Sequence, residues 1–505
     1  MSPAQKDRQG TQVWLLAATL VVAVAGLIYE LIAATVSSYL LGDSIRQFSF
    51  VIGVFLASMG VGAWVSRFVG DAVAGFFRAQ VGLGLFGGLG ALATFYTYAT
   101  VEIVAVPLYG ALIGVGILSG MEIPLLARIL KDVGAARFRF ENVLSVDYLG
   151  ALVASLAFPI LIVPHLSLVA AGLAFGLLNL VVAGGTLWLF RDRLGLWDRL
   201  AWGAGGAVVG GLLAVSGPVT GALDARLYSD EIVYNDRSSY QQIVVTRFRD
   251  RVRLYLNGAI QFDTVDEARY HEALVHPAMA QAPRRARVLV LGGGDGMAVR
   301  EVLRWPDVEE VVLVDLDPAV VRLFRDRDSL AALNGEALRD PRVAVVHSDA
   351  FTWVRDGSGA FDVVIADLPD PKTLSLSRLY TAEFYRLLRQ RISAQGVVVT
   401  QASSPMFAGD AYWITVETLA SLGEVTPYAT YVPSFGLWGF ALARPEGMLP
   451  RQADYPEGLS YLTPDVWRAA QVFDGQTGPR AVPVNTLSDH VLPRAYQAGW
   501  DQWFR

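Results

Sequence analysis

Between about Val13 and Val219 the chain carries a series of long apolar runs, among them "VWLLAATLVVAVAGLIYELIAATV" and "FSFVIGVFLASMGVGAWV". Each is long enough to cross a hydrocarbon layer of about 30 Å as a helix. About seven such runs are predicted, at 13 to 38, 47 to 67, 76 to 98, 103 to 127, 144 to 164, 167 to 189 and 200 to 219. They predict a helical polytopic membrane domain over residues 1–222. The first run follows a charged start, as a signal peptide does, but it is too long and further runs follow it, so it is expected to stay. Arg67, Arg78, Arg128, Lys131, Arg137, Arg139, Arg191, Arg193 and Arg199 fall in or beside the loops after the second, fourth and sixth runs. With Lys6 and Arg8 they mark one face as cytoplasmic. Seven full crossings from that face would put the rest of the chain outside. The last run, "LAWGAGGAVVGGLLAVSGPVTGA", is rich in glycine, ends near Pro218 and is open to a re-entrant or interfacial reading.

A chain of 505 residues exceeds what one hydrophobic core usually supports. After Ala222 the composition turns charged. Alternating strands in "SYQQIVVTRF" and "VRLYLNGAIQ" predict a small β-strand domain over 223–280. From 281 to 505 strands and helices alternate, which predicts a doubly wound α/β, Rossmann-like domain. Its strands are "ARVLVLGGG", "EEVVLVDLD", "RVAVVHSDA", "FDVVIADL" and "GVVVTQAS". There are no cysteines, so disulfides, thiolate zinc sites and cysteine nucleophiles are excluded, and no metal site is predicted. A net charge of −6 without a basic cluster in this half argues against nucleic acid as a partner.

In such sheets ligands sit at the carboxyl ends of the strands, where the acids of this chain fall. "LGGGDG" places Gly292, Gly294 and Gly296 directly after the first strand, where glycines admit close approach to a ligand at a helix N-terminus. A full dinucleotide fingerprint needs glycine where this chain has Met297, so NAD is not favoured. Asp315 ends the second strand about 20 residues on, where an acid accepts the two hydroxyls of a ribose. The pair indicates a nucleoside. Asp295, Asp315, Asp349, Asp367 and Asp370 then gather on one rim, a field suited to a ligand with several positive charges.

In order along the chain, "SYQQIVV", "LYLNGAIQFDTVDEARYHEALVHPAM", "VLVLGGGDGMAVREVL", "VDLDPAVV", "HSDAFTWV" and "FDVVIADLPDP" resemble the motifs of the spermidine synthases, or polyamine aminopropyltransferases, over residues 233 to 445. "LIYELIAA", "YLLGDSIRQFSF", "GMEIPLLARIL" and "VDYLGALVAS" resemble the membrane-embedded bacterial branch of that family. The resemblance implies a class I methyltransferase-type fold, with decarboxylated S-adenosylmethionine as co-substrate and no other cofactor. Gln241 and Asp315 would hold its nucleoside beside the glycine loop, with Asp349 and Ala350 around the adenine. His271 and Asp295 would face the amines, and Tyr270 would line the diamine channel. Asp367 matches the catalytic base, Asp370 the second acid that grips the diamine, and Gln401 a glutamine beside the acceptor. The implied partners are a small diamine, a sulfonium nucleoside and the lipid bilayer, in a homo-oligomer of the inner membrane with a cytoplasmic α/β domain, where the donor is made.

The chemistry of the residues agrees with these roles. A protonated amine has no lone pair, so a carboxylate must take its proton before nitrogen attacks a sulfonium carbon. A second acid pairs with the distal ammonium and aims the near nitrogen. Asp295 would repel the carboxylate of ordinary S-adenosylmethionine. The chain departs from the soluble relatives in "KTLSLSRLY", which puts Lys372 beside the acid pair, in Phe435 where they carry a tyrosine, and in Asn257 where they carry an acid. Two other readings compete: a methyltransferase on the same fold, and a membrane polyamine transporter or sensor whose α/β domain only binds. Glu30, Glu122 and Asp147, inside the apolar runs, bear on the second. The small residues of "GVFLASMGVGAW" and "GALIGVGILSG" predict close helix packing, and Trp64, Trp188 and Trp202 interfacial anchors.

Overall fold

A computed structural model describes residues 3–41, 44–101, 103–132, 140–451 and 454–503. Arg137 and Arg139 lie outside the described residues. The chain divides into two compact units, Met1–Glu231 and Ile232–Arg505.

Among the described residues of the first unit, six helices are long and apolar enough to cross a membrane: Trp14–Leu41, Arg46–Phe68, Ala72–Val101, Ala105–Asp132, Glu141–His165 and Leu168–Leu189. They match the first six predicted runs. The seventh is broken, because helices Leu196–Ala214 and Ser216–Leu223 meet at 66°. The two predicted small-residue stretches pack on one another. A Cβ on Gly120 would fall 2.1 Å from the carbonyl oxygen of Met59, so only hydrogen fits there. Basic side chains tie off one end of the bundle: Arg128 donates to the carbonyls of Ser66, Val69 and Gly70, and Arg78 pairs with Asp198 at 2.8 Å. Trp64 and Trp188 are exposed. Trp202 is not an anchor of that kind: it is half-buried, and its Nε1 donates to Leu180 O at 2.8 Å.

The second unit opens with a four-stranded sheet, β1 (Glu231–Arg237), β2 (Gln242–Phe248), β3 (Arg251–Leu256) and β4 (Ala259–Asp263), in sequential order. Asn257 and Gly258, at φ 49° and 77°, make the tight turn between β3 and β4. Positive φ at both central positions is what a type I′ hairpin demands, and asparagine tolerates it. Helix Glu267–Gln281 follows, buried along most of its length.

Seven further strands form the main sheet: β5 (Arg287–Gly292), β6 (Glu310–Asp315), β7 (Val343–His347), β8 (Phe361–Asp367), β9 (Ile392–Gln401), β10 (Glu424–Val432) and β11 (Gly436–Arg444). Their order is β10-β11-β9-β8-β5-β6-β7. β5 to β9 pair in parallel, and β11 and β10 add an antiparallel hairpin. β5 shows why the sheet is covered on both faces: Val288 and Val290 enter one core while Leu289 and Leu291 enter the other. The chain runs outward from β5 through β6 and β7, then returns to lay β8 on the other side of β5. That reversal is a topological switch point, where such sheets open a crevice at the strand ends.

Candidate active site

Strand register puts the glycine loop and the first acid of the turn opposite each other. Gly292, the last residue of β5, pairs with Asp367, the last residue of β8. Gly292 has φ 77°, and a Cβ there would lie 2.1 Å from Asp367 O. A Cβ on Gly294 would lie 2.7 Å from Asp315 Oδ2, which instead accepts from Gly294 N at 3.0 Å. The missing side chains therefore let the Asp367 backbone and the Asp315 carboxylate close on the loop.

Asp367 Oδ1 accepts from the Tyr270 hydroxyl at 2.7 Å. Burial holds its carboxyl above the usual range, opposed by the His271 charge and by the tyrosine hydrogen bond. His271 is fixed in turn: its Nδ1 meets Glu267 Oε2 at 2.7 Å, and Glu267 takes two hydrogen bonds from Arg300, each at 2.9 Å. Burial lowers His271, but the Glu267 hydrogen bond and charge outweigh it and leave it raised. Asp295 accepts from Met297 N at 2.9 Å, and burial pushes it up to about 6 against the pull of His271. Tyr270, His271, Asp295 and Asp367 thus form one electrostatic group at the switch point.

Asp370 follows three residues after Asp367 and is held by a different part of the chain. Its Oδ2 accepts from Tyr496, on helix Val491–Trp503, at 2.8 Å. Burial raises its carboxyl, opposed first by the Lys372 charge and then by Tyr496. Gln401 Nε2 donates to Leu368 O at 2.8 Å and to the Tyr380 hydroxyl at 2.6 Å, and Tyr380 donates to Pro369 O at 3.0 Å. Those bonds pin the turn between the two acids. Ser403, at φ 66°, donates its N–H to Gln401 Oε1 at 2.9 Å, a strained backbone beside the site. Phe435 packs its ring on Tyr270, with centroids 5.7 Å apart.

The acids that the sequence assigns to a nucleoside lie on the other flank. Burial pushes Asp315 up to about 6, against hydrogen bonds from the Asp317 and Gly294 amides. Gln241 does not bond Asp315 directly; its Nε2 donates to Asp317 Oδ2 at 3.0 Å. Asp317, buried, also accepts from Ser238 Oγ at 2.6 Å and caps helix Pro318–Asp326 through Ala319 N. Asp349 caps helix Ala350–Asp356, whose first residue, Ala350, is buried, and its Oδ2 pairs with Arg378 at 2.5 Å. Sequence reasoning missed Glu267, Asp317, Tyr380 and Tyr496. Asp317 sits in plain view in "VDLD", whereas nothing in the sequence tied Tyr496 to an acid 126 positions earlier.

Tyr270→Phe moves the acid limb of the kcat/KM profile to higher pH. The hydroxyl donates to the ionised carboxylate and holds the Asp367 pKa down, so its loss raises that pKa and active carboxylate vanishes sooner as pH falls. An unmoved acid limb would mean that Asp367 is not the group titrating.

The mixed sheet, glycine loop and paired acids at the switch point define a nucleoside-binding transferase of the methyltransferase-like class. The family model described as spermine/spermidine synthase domain matches residues 267–452. A polyamine aminopropyltransferase 2 of Ralstonia nicotianae is 45% identical, covering 96% of this chain and 98% of that one. A polyamine aminopropyltransferase of Leptospira interrogans is 41% identical over 97% and 99%, and one of Mycobacterium tuberculosis 38% identical over 96% of each. The chain belongs to the spermidine synthase family of polyamine aminopropyltransferases. The similarity runs through the helical half as well as the α/β half.

Proposed function

We infer that this chain transfers the aminopropyl group of decarboxylated S-adenosylmethionine to putrescine, giving spermidine and methylthioadenosine. The amine nitrogen forms a bond to the aminopropyl carbon next to sulfur, the carbon–sulfur bond breaks, and the sulfonium leaves as a neutral thioether. The proton lost from nitrogen goes to Asp367. Asp370 pairs with the distal ammonium, and Tyr270 and Phe435 wall the acceptor path. Gly294 and Asp315 receive the nucleoside, with Gln241 acting through Asp317. Asp295 faces the donor's own ammonium and repels a donor that keeps its carboxylate. The carrying observation is the pair of half-buried carboxylates on one pinned turn at the switch point, held by tyrosines from two distant helices. Purified protein offered decarboxylated S-adenosylmethionine and a diamine panel yields spermidine from putrescine by mass, and nothing from ordinary S-adenosylmethionine. A methylated amine in the second assay would favour the methyltransferase reading instead.

We also read the helical unit as embedded in the inner membrane with the α/β unit in the cytoplasm. Helix Phe140–Ala157 supports this by exposing Leu149, Leu152, Val153 and Leu156, an apolar face with no cover among the described residues. Six crossings, with the bent helix pair returning, bring the chain back to the face where it entered, the face with the basic loops. In sealed inside-out vesicles, protease removes the α/β unit; in right-side-out vesicles it survives.

A further inference from the structure

We propose that the helical unit holds a second binding site, for the protonated amine of an aliphatic chain, built on Glu122, Gln80, Asn179 and Ser119. The four side chains, with Tyr29, come from helices Pro3–Leu41, Ala72–Val101, Ala105–Asp132 and Leu168–Leu189 and meet at one level of the bundle. Gln80 and Asn179 are fully buried, and Ser119 and Glu122 are 8% exposed. Gln80 Nε2 donates to Glu122, and Asn179 Nδ2 donates to the Tyr29 oxygen at 2.6 Å. Tyr29 and Asp147 both lie within electrostatic reach of Glu122.

Each amide therefore spends one N–H inside the cluster. Gln80 Oε1, Asn179 Oδ1 and Ser119 Oγ have no partner among the described residues, and Glu122 has no cationic partner there. What remains includes two amide oxygens and a hydroxyl oxygen without partners beside a carboxylate, buried in apolar helices, where such groups are costly and seldom idle. An ammonium group, with three donors, a positive charge and no acceptor, complements that set. Ala25, Leu83, Leu112 and Val115 pack with Tyr29 beside it, an apolar wall suited to a methylene stem and not to a hydrated metal ion.

The site is independent of the transferase reading, and the test separates them. Full-length protein carrying Asp367→Asn and Asp370→Asn, which removes amine capture in the α/β unit, is equilibrated with radiolabelled putrescine. One saturable equivalent per chain remains. Added Glu122→Gln or Asn179→Leu weakens it by at least about tenfold, and Ser119→Ala by a few-fold. Each bundle variant, placed alone in the otherwise wild-type chain, keeps transferase activity, which reports folding. Absence of residual saturable binding overturns the proposal. So does residual binding that none of the folded bundle variants weakens, or radiolabelled sodium occupying the site while putrescine does not. If every bundle variant fails to fold, the residual stoichiometry alone decides, one equivalent for the site and none against it.

Discussion

Asp367→Asn lowers kcat by about 10³-fold while leaving the affinity for the sulfonium donor within about twofold. The change is isosteric, so the Tyr270 hydroxyl and the loop at Gly292 keep their neighbours. What is lost, on the proposed reading, is a basic oxygen placed to take the proton of the attacking amine nitrogen. General-base contributions span about 10²–10⁴ in rate, and a carboxylate held above its usual range lies closer to the basicity a proton acceptor needs near neutrality. Stopped-flow or single-turnover measurement separates chemistry from binding. A comparable loss in donor affinity would place Asp367 in nucleoside binding and not in proton transfer.

Asp370→Asn raises KM for putrescine by about 10²-fold, with a smaller effect on kcat. The basis is the burial of this carboxylate, which leaves a distal ammonium without solvent to replace the lost partner. n-Butylamine, which has no distal ammonium, supplies the control: its KM is high in both proteins and differs between them by no more than about threefold. A full 10²-fold effect on the monoamine as well would mean that the substitution has disturbed the turn held by Gln401 and Tyr380, and not an ion pair.

Most of the site was legible because it is local to strand ends. "LGGGDG", "VDLD" and "ADLPDP" each pair a β-rich run with the residue types that a switch point uses, and the fold places all three side by side. Contacts between remote segments were not legible. The bond from Gln241 to Asp317 joins two such segments, and capping a helix gives that acid a fixed, buried oxygen to offer. Asn257 looked like a lost charge and is a hairpin residue selected by its backbone. The β10–β11 hairpin escaped notice because Pro427 argues against a strand, yet β10 lies at the sheet edge, where a missing N–H is tolerated. The seventh apolar run, rich in glycine and open to a re-entrant reading, is two helices meeting at 66°, a bend that hydropathy, which records composition, does not locate.

The hydrogen bond from Tyr496 to Asp370 also sets an order of events during synthesis. The parallel strands and the glycine loop are complete when the ribosome has passed β9, but the amine anchor gains its tyrosine only 126 residues after Asp370 has been made. Glu272 behaves the same way: it closes on the amides of Ser460, Tyr461 and Leu462, which emerge 188 or more residues later. The strands and glycine loop are therefore made before the helix that supplies the Asp370 turn with its tyrosine contact.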